Sequence, residues 1–245
     1  MSSPRLPPEL EHVIFLLAFQ DDPRKAKHLL FIAKRVFNWL IPEAYKVVQF
    51  YEDRCLPVAF NESVYRKYGH HVRHLWLDTR NLRCGLTLFP NVTDLVLDSH
   101  YTPAQLLRLP LKRLSIWTDG PPTPELFQVF STLTHLDLDT LETWSSHISM
   151  VHKLLYLPKL QYLCLVNGFP KHVLELFLDR TRCPDLEVVM VWRYKEGPQL
   201  VVEDQRVLEI SPYPMRDWEA GVRGGMDMWK FADQAIASRK NGGCD

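Results

Sequence analysis

The histidines near residue 70 are the first side chains in this sequence whose type and spacing could do chemistry. His70, His71 and His74 lie close together, and two histidines four residues apart can bind zinc from one face of a helix. This segment, however, is predicted to be a loop that enters a strand. It has no HExxH motif and no neighbouring cysteine or carboxylate to complete a ligand set. The sequence therefore predicts no metal site.

The aspartates Asp78, Asp98, Asp137 and Asp139 resemble paired carboxylates for acid–base catalysis. They alternate with apolar residues in predicted strands, so we expect solvated side chains on an exposed face, with ordinary acidity. The GxGxxG, GxxxxGK[ST] and GxSxG motifs of nucleotide-binding and nucleophilic sites do not occur. The sequence therefore predicts a protein that is not an enzyme and needs no cofactor.

Composition narrows the range of partners. The chain has 245 residues and 46% hydrophobic content, with 29 basic and 29 acidic side chains that cancel. A neutral chain lacks the charge that attracts nucleic acid or an anionic membrane surface, so we expect neither partner. The N-terminal residues lack the apolar core of a secretory signal, and the five cysteines form no CxxC pair. These features indicate free thiols and a cytoplasmic or nuclear location.

A six-residue frame, apolar-x-x-apolar-x-apolar, recurs through the middle of the chain. The elements that position all of these side chains should follow from this repeat. Its copies are Val72-Leu75-Leu77, Val92-Leu95-Leu97, Leu111-Leu114-Ile116, Leu133-Leu136-Leu138, Leu160-Leu163-Leu165 and Leu186-Val189-Val191, with a weaker one at Leu208-x-Ile210. Because side chains alternate along a strand, the last two anchors of each copy should face the core and their neighbours should face outward.

Segments between these strands carry helix signals. Thr102-Pro103 and Thr123-Pro124 each place a hydroxyl at the N-cap and a proline at the first helical position. Residues 147–157 and 171–180 have apolar residues at helical spacing. Strands that alternate with short crossovers build a parallel sheet from stacked units. A doubly wound α/β sheet is the alternative, although its strands are usually continuous apolar runs.

The frame resembles leucine-rich repeats over about residues 70–195, because it recurs about every 19 to 27 residues, near that family's range of roughly 20 to 29. The asparagine that follows the strand in that family is absent from every copy. The fold class expected is α/β: a short right-handed leucine-rich-repeat solenoid with a parallel sheet, an N-terminal helical segment and a C-terminal helical cap.

The outward-facing strand positions form three columns that predict a binding surface. Tryptophan, tyrosine and arginine are common anchors of protein interfaces. A bound partner would explain why three tryptophans lie on a face that is expected to be exposed to water. The alternative explanation for these tryptophans is a C-terminal segment that folds back across the sheet and buries them. The residues predicted to bind a protein substrate are His74, Trp76, Arg113, Trp117, His135, Tyr162 and Trp192.

The N-terminal residues predict two helices. LPPEL at residues 6–10 opens a helix with Leu10, Val13, Ile14 and Leu17 on one stripe, and a second helix runs from residue 24 to Leu40, where Pro42 ends it. LPPEL and the later segment AKRVFNW, with IPEAY after it, resemble the F-box, particularly its divergent fungal form. That family pairs an F-box with leucine-rich repeats.

The resemblance implies the substrate-recognition subunit of an SCF-type cullin–RING ubiquitin ligase, which binds a Skp-family adaptor through the F-box and an unknown protein through its repeats. The residues that would contact the adaptor are Leu6, Pro7, Leu10, Ile14, Val36 and Trp39. Two alternatives stay open: the N-terminal helices cap the solenoid, and the protein is a repeat scaffold with no link to ubiquitin.

The apolar positions after Met226 predict a C-terminal helix. We expect it to cap the open end of the solenoid, and its mixed charges argue against a helix on a membrane surface. The domain assignment is an F-box-like segment at 1–50, a connector at 51–69, the solenoid at 70–212, a C-terminal cap at 213–240 and a disordered tail at 241–245.

Overall fold

The computed structural model describes residues 6–50, 62–77, 85–97, 103–118, 123–140, 148–166, 171–192, 202–210 and 218–240. They form an α/β fold around one open sheet of eight parallel strands in chain order. The strands are β1 (Val47–Phe50), β2 (His74–Leu77), β3 (Asp94–Leu97), β4 (Arg113–Thr118), β5 (His135–Thr140), β6 (Tyr162–Val166), β7 (Val188–Trp192) and β8 (Val207–Ile210).

The last two anchors of all six full copies lie in strands, and the parallel sheet is confirmed. The doubly wound alternative is wrong, because strand order reverses at a switch point in such sheets and does not reverse between β1 and β8. The predicted register is also confirmed: Leu75, Leu95 and Leu114 lie side by side on neighbouring strands, as do Leu136, Leu163 and Val189.

Both ends of the sheet differ from the prediction. β1 lies inside the segment assigned to helices, because the sheet begins directly after the third helix, at Val47. In β8, Val207 is level with Val189 on the core side, so Leu208 and Ile210 face the opposite side. Their assignment as core anchors was one residue out of phase, and a one-residue shift moves every side chain to the other face.

Helices flank the strands. The α-helices are α1 (Pro8–Asp21), α2 (Pro23–Ala26), α3 (Lys34–Lys46), α4 (Glu62–Tyr68), α5 (Pro103–Leu106), α6 (Pro124–Phe130), α7 (Ile148–Leu154), α8 (Lys171–Leu178), α9 (Trp218–Val222) and α10 (Met228–Lys240). Short 3-10 helices span Lys27–Phe31, Gly69–His71 and Leu86–Leu88.

The predicted second helix is broken, because Ala33 is extended and separates the 3-10 turn from α3. Pro42 does not end α3, which continues to Lys46. Proline leaves the carbonyl four residues earlier without its helical donor, but both Pro42 and Asn38 are exposed, so water can satisfy that carbonyl.

The main core lies between the sheet and the helices of the crossovers. The inward anchors of the strands pack there against side chains from α5 to α8, such as Leu126, Phe130, Leu154 and Phe177. A second, smaller cluster lies on the other face of the sheet, beneath α10. A third, formed by Phe19, Ala26, Val36 and Leu40, holds the N-terminal helices together.

Main-chain atoms join each strand to the next just before the strand begins. The carbonyl of Arg73 accepts hydrogen bonds from the N–H groups of both Thr93 and Asp94, at 2.9 and 3.1 Å. The carbonyls of Thr93, Lys112, Thr134 and Gln161 each accept two N–H groups of the following unit in the same way. These forked carbonyls bond neighbouring units without the asparagine that the frame lacks.

Candidate functional site

The predicted columns do lie on one face of the sheet. His74, Asp94, Arg113, His135 and Tyr162 are level with one another from β2 to β6. Trp76 lies in the next column, and Trp117, level with Asp139, and Trp192, level with Val166, lie in the third. Asp78 and Asp98 lie outside the described residues. The sequence therefore identified which residues share this surface.

Part of this surface is covered, which corrects the prediction that Trp76 and Trp192 are available to a substrate, whereas His74, Arg113, Trp117, His135 and Tyr162 are half-buried. Trp192 and Trp76 are only 7% and 8% exposed. Trp192 packs in the second cluster, and Trp76 meets the ring of Trp218 on α9 edge-on at 5.6 Å. The C-terminal residues therefore cover the face of the sheet and not its open end, so the expected end cap is wrong. The alternative, a C-terminal segment folded back across the sheet, is the arrangement observed.

The contact between α10 and the sheet has an apolar half over β6, β7 and β8. Met228, Trp229, Ala232 and Ile236 form one side of α10 and are buried. The sheet side chains that they cover are Cys164, Val166, Val188, Met190, Trp192, Leu208 and Ile210. This contact explains why Leu208 and Ile210 face α10, since the apolar side of the helix needs apolar side chains beneath it on the last strand.

An aromatic group marks the middle of the contact. The rings of His135 and Tyr162 stack at 4.3 Å with their planes 5° apart, and Trp229 of α10 meets them edge-on at 5.0 and 6.0 Å. The Tyr162 hydroxyl donates a hydrogen bond of 2.5 Å to Oδ1 of Asp233. Burial and then this carboxylate raise the pKa of Tyr162, so the phenol stays protonated.

A chain of charged side chains lies at the N-terminus of α10. Asp94 lies 3.1 Å from Nδ1 of His74 and 3.4 Å from Nε of Arg113. The guanidinium of Arg113 also reaches Oδ2 of Asp227 at 3.6 Å. Asp227 is the N-cap of α10, because its Oδ1 accepts a hydrogen bond from the N–H of Lys230 at 2.8 Å.

The charge state of this chain follows from its surroundings. Burial opposes the ionised form of Asp94, but the hydrogen bond and charge of His74, with Arg113 and Thr93, outweigh it and lower the pKa of Asp94. Burial and the nearby Arg113 lower the pKa of His135 to about 3. At neutral pH the contact therefore combines an ionised Asp94 with an uncharged His135.

We expected Asp137 and Asp139 to be solvated, but both are buried. Asp137 is 1% exposed and Asp139 is 7% exposed, because the covered face includes the middle of β5. Burial, followed by the charge of Asp137, raises the pKa of Cys164 well above its ordinary value. A thiol in this state is a poor nucleophile, so its position does not suit covalent catalysis.

The space under α9 and α10 is small. A cavity of about 30 Å³ lies between the sheet and these helices, bordered by Asp94, Arg113, Ser115, Trp218 and Asp227. It has room for about one water molecule and not for a substrate. Within the described ranges, no three histidine, cysteine, aspartate or glutamate side chains are grouped so that they could hold a metal ion.

A second candidate surface is the outer side of α1. Leu6, Leu10, Val13, Ile14 and Leu17 are 49 to 60% exposed, and all but Leu6 belong to α1. Pro7 is exposed as well. Apolar side chains at this spacing form a continuous stripe on one side of a helix. The predicted adaptor contacts Leu6, Pro7, Leu10 and Ile14 are therefore all accessible.

The two predicted contacts on α3 differ from those on α1. Val36 is buried in the N-terminal cluster, so its assignment to a contact surface is corrected: it holds α3 against the other helices. Trp39 is half-buried, and its ring stacks on His12 of α1 at 5.2 Å. Helical periodicity in α3 identified an apolar side but not which neighbour covers it.

Sequence reasoning missed the partners of the sheet face. Asp227, Trp229 and Asp233 make the polar and aromatic contacts, and Arg239 donates hydrogen bonds of 2.7 and 3.3 Å to the carbonyls of Val207 and Gln205. Two signals were available: an aspartate just before an apolar helix, and an apolar stripe along α10.

Comparisons with protein-family models, with curated proteins and with solved structures found no match. Among the described residues, no helix is both long enough and apolar enough to cross a bilayer.

Proposed function

We propose that this protein is a substrate-recognition subunit of an SCF-type cullin–RING ubiquitin ligase, acting in the cytoplasm or nucleus. The observation that carries the proposal is the exposed apolar stripe of α1, in the segment whose LPPEL motif resembles an F-box. By that resemblance the partner of the stripe is a Skp-family adaptor. The chain itself supplies proximity between ligase and substrate, without a catalytic residue.

The stripe has the form of a helix that docks in a groove. Leu10, Val13, Ile14 and Leu17 follow the i, i+3, i+4, i+7 spacing of such helices. Full burial of one such side chain contributes about 1.5–3 kcal/mol, and each is already about half covered. Burial of the remaining surface of all four is then worth roughly 3–6 kcal/mol before the costs of association.

The opposite side of α1 is fixed in place, which presents the stripe to a partner. Phe19 is buried against the N-terminal cluster, and Arg35 of α3 pairs with Glu11 at 2.7 Å. A helix that is held on one side and apolar on the other is suited to permanent association with a second protein. Phe31, on the neighbouring 3-10 helix, is 86% exposed and extends the apolar surface of this segment.

The repeat region supports the second half of the proposal, a leucine-rich-repeat solenoid that contacts the substrate. Its three apolar anchors recur in a six-residue frame, its strands follow chain order, and forked carbonyls bond neighbouring units from β2 to β7. Stacked units of this kind provide extended surfaces for protein partners.

One observation favours the alternative of a repeat scaffold with no ubiquitin link. α3 ends at Lys46 and β1 begins at Val47, so the N-terminal helices are continuous with the first edge of the sheet. Helices in this position also suit a cap that closes the solenoid. A cap alone, however, does not require an apolar stripe on its outer side.

Co-expression with a Skp-family adaptor tests the proposal. Wild-type chain should co-purify with the adaptor, and the double variant Leu10→Asp, Ile14→Asp should not, because two charges would have to enter an apolar groove. Leu107→Asp is the matched control, since it replaces an exposed leucine outside the N-terminal helices by the same charge and should leave binding intact.

Circular dichroism must show that all three chains are folded. Failure of the wild-type chain to bind any adaptor, or retention of binding by the double variant, would assign the helices to capping and favour the scaffold. Val36→Asp is not a test of binding, because Val36 belongs to the N-terminal core.

A further inference from the structure

The contact between α10 and the sheet differs in composition from the main core of the same protein. The main core is built from leucine, valine, phenylalanine and isoleucine with a single cysteine. The contact with α10 includes Met190, Trp192, Met228 and Trp229, with Arg113 at its border. Tryptophan, methionine and arginine are enriched where separate proteins meet. The covered face therefore has the composition of an interface.

Recognition of α10 by the sheet depends on a few specific points. At the helix N-terminus, Arg113 pairs with Asp227. Two residues later Trp229 enters against the stacked rings of His135 and Tyr162. Such spaced anchors define a sequence pattern: an acidic N-cap, a tryptophan at the second helical position, and small or branched residues one and two turns further on. A separate helix with this pattern could make the same contacts.

A turn with two glycines joins α9 to α10. Gly224 has φ of 98°, a left-handed conformation that favours glycine, and Gly225 follows it. The small cavity beside Trp218 also borders Asp227, Met228 and Trp229, so packing against the sheet is incomplete at the N-terminus of α10. On the far side of the sheet, the main core includes none of the α10 residues.

We infer that this face of the sheet is a groove for an amphipathic helix of a partner protein, and that α10 is a built-in competitor for it. The partner helix carries an acidic N-cap and a tryptophan in the pattern of α10. The inference concerns the sheet alone and holds whether or not α1 binds an adaptor. In a ligase subunit it would make substrate capture depend on displacement of α10.

A labelled synthetic peptide of residues 218–240 is the probe, and the full-length chain is titrated into it while fluorescence anisotropy is followed. In wild-type chain the attached helix occupies the groove, so apparent binding is reduced by the fraction of molecules that are open. Trp229→Ala in the chain weakens the competitor and leaves the groove intact. We expect the apparent Kd for the peptide to fall at least tenfold.

Two controls separate the groove from non-specific adhesion. A peptide that itself carries Trp229→Ala should not bind, and Arg113→Ala added to the Trp229→Ala chain should weaken binding of the normal peptide. Adaptor binding by the α1 stripe should be unchanged in the Trp229→Ala chain, so failure here and failure of the ligase proposal give different results.

Should circular dichroism show that Trp229→Ala does not fold, Asp233→Asn decides the matter, because it removes only the charge that accepts the Tyr162 hydroxyl. A roughly threefold tighter apparent Kd supports the groove. Equal peptide affinity in wild type and a folded variant would show that α10 is a permanent layer. A wild-type dimer that Trp229→Ala converts to a monomer would identify a second copy as the occupant, and either result overturns the inference.

Discussion

Acid should weaken the protein through His135. Its imidazole is enclosed by Tyr162 and Trp229, with Arg113 and Asp94 as the nearest charges, and the pKa falls from 6.5 to about 3. The unfolded chain takes up a proton on this residue below about pH 6.5, while the folded chain does not until about pH 3. The unfolded state therefore binds more protons between these values, so the free energy of unfolding decreases as the pH falls.

The size of the effect follows from the two pKa values. At pH 7 both states are nearly uncharged at His135. At pH 4.5 the unfolded imidazole is charged and the folded one is not, which lowers the free energy of unfolding by about 2.5 kcal/mol as a ceiling. Asp94 has a lowered pKa, and at pH 4.5 the carboxyl of the unfolded chain is also mostly ionised, so Asp94 adds little to the difference.

Urea denaturation at pH 7 and pH 4.5, for wild type and His135→Phe, measures this effect. Phenylalanine keeps the aromatic stack but cannot take up a proton. It loses the 2.8 Å hydrogen bond between Thr134 and the imidazole, and this cost is equal at both pH values and cancels. The acid-induced loss should be smaller in the variant by up to about 2.5 kcal/mol. Equal losses, within about 0.5 kcal/mol, would refute the enclosure of a neutral imidazole beneath α10.

Two further predictions use truncation to alanine and are read from the same urea curves. Leu163→Ala in the main core should lower the free energy of unfolding by about 2–5 kcal/mol, whereas Leu10→Ala on the exposed stripe should change it by less than about 0.5; equal effects would contradict the assignment of core and surface. Trp76→Ala should cost roughly 3–5 kcal/mol because the indole packs beneath Trp218, and a variant as stable as wild type would show that this face is open.

The sheet was predictable because its signal is local and repeated. In each full copy of the frame, alternation along the strand fixes which side chains face the crossover helices, and residues such as Leu136 and Leu163 are fully buried as expected. The copy at Leu208-x-Ile210 failed because these two apolar residues face α10, while the core side of β8 carries only Val207, with an exposed Glu209 after it. Contact with α10 selects this arrangement, and that contact is distant in sequence.

The covering of the sheet face was not predictable from local pattern. The stripe of α10 shows that it must be buried, but either the open end of the sheet or its free face could receive it. Trp76 and Trp192 were the remaining signal, since large aromatic side chains on a strand indicate a covering layer as readily as a binding partner. The same ambiguity affected Val36, which packs inside the N-terminal cluster.

The forked carbonyls have a consequence for how freely the surface can change. They use main-chain oxygen atoms, whereas the side chains at these positions, such as Arg73 and Lys112, are exposed. Any residue other than proline can follow this backbone path, so Arg73 and Lys112 place little demand on side-chain identity, whereas Thr93 and Thr134 also donate side-chain hydrogen bonds to the preceding unit. Charges, labels or attachment points could be introduced at Arg73 and Lys112 without disturbing the stacking of the units.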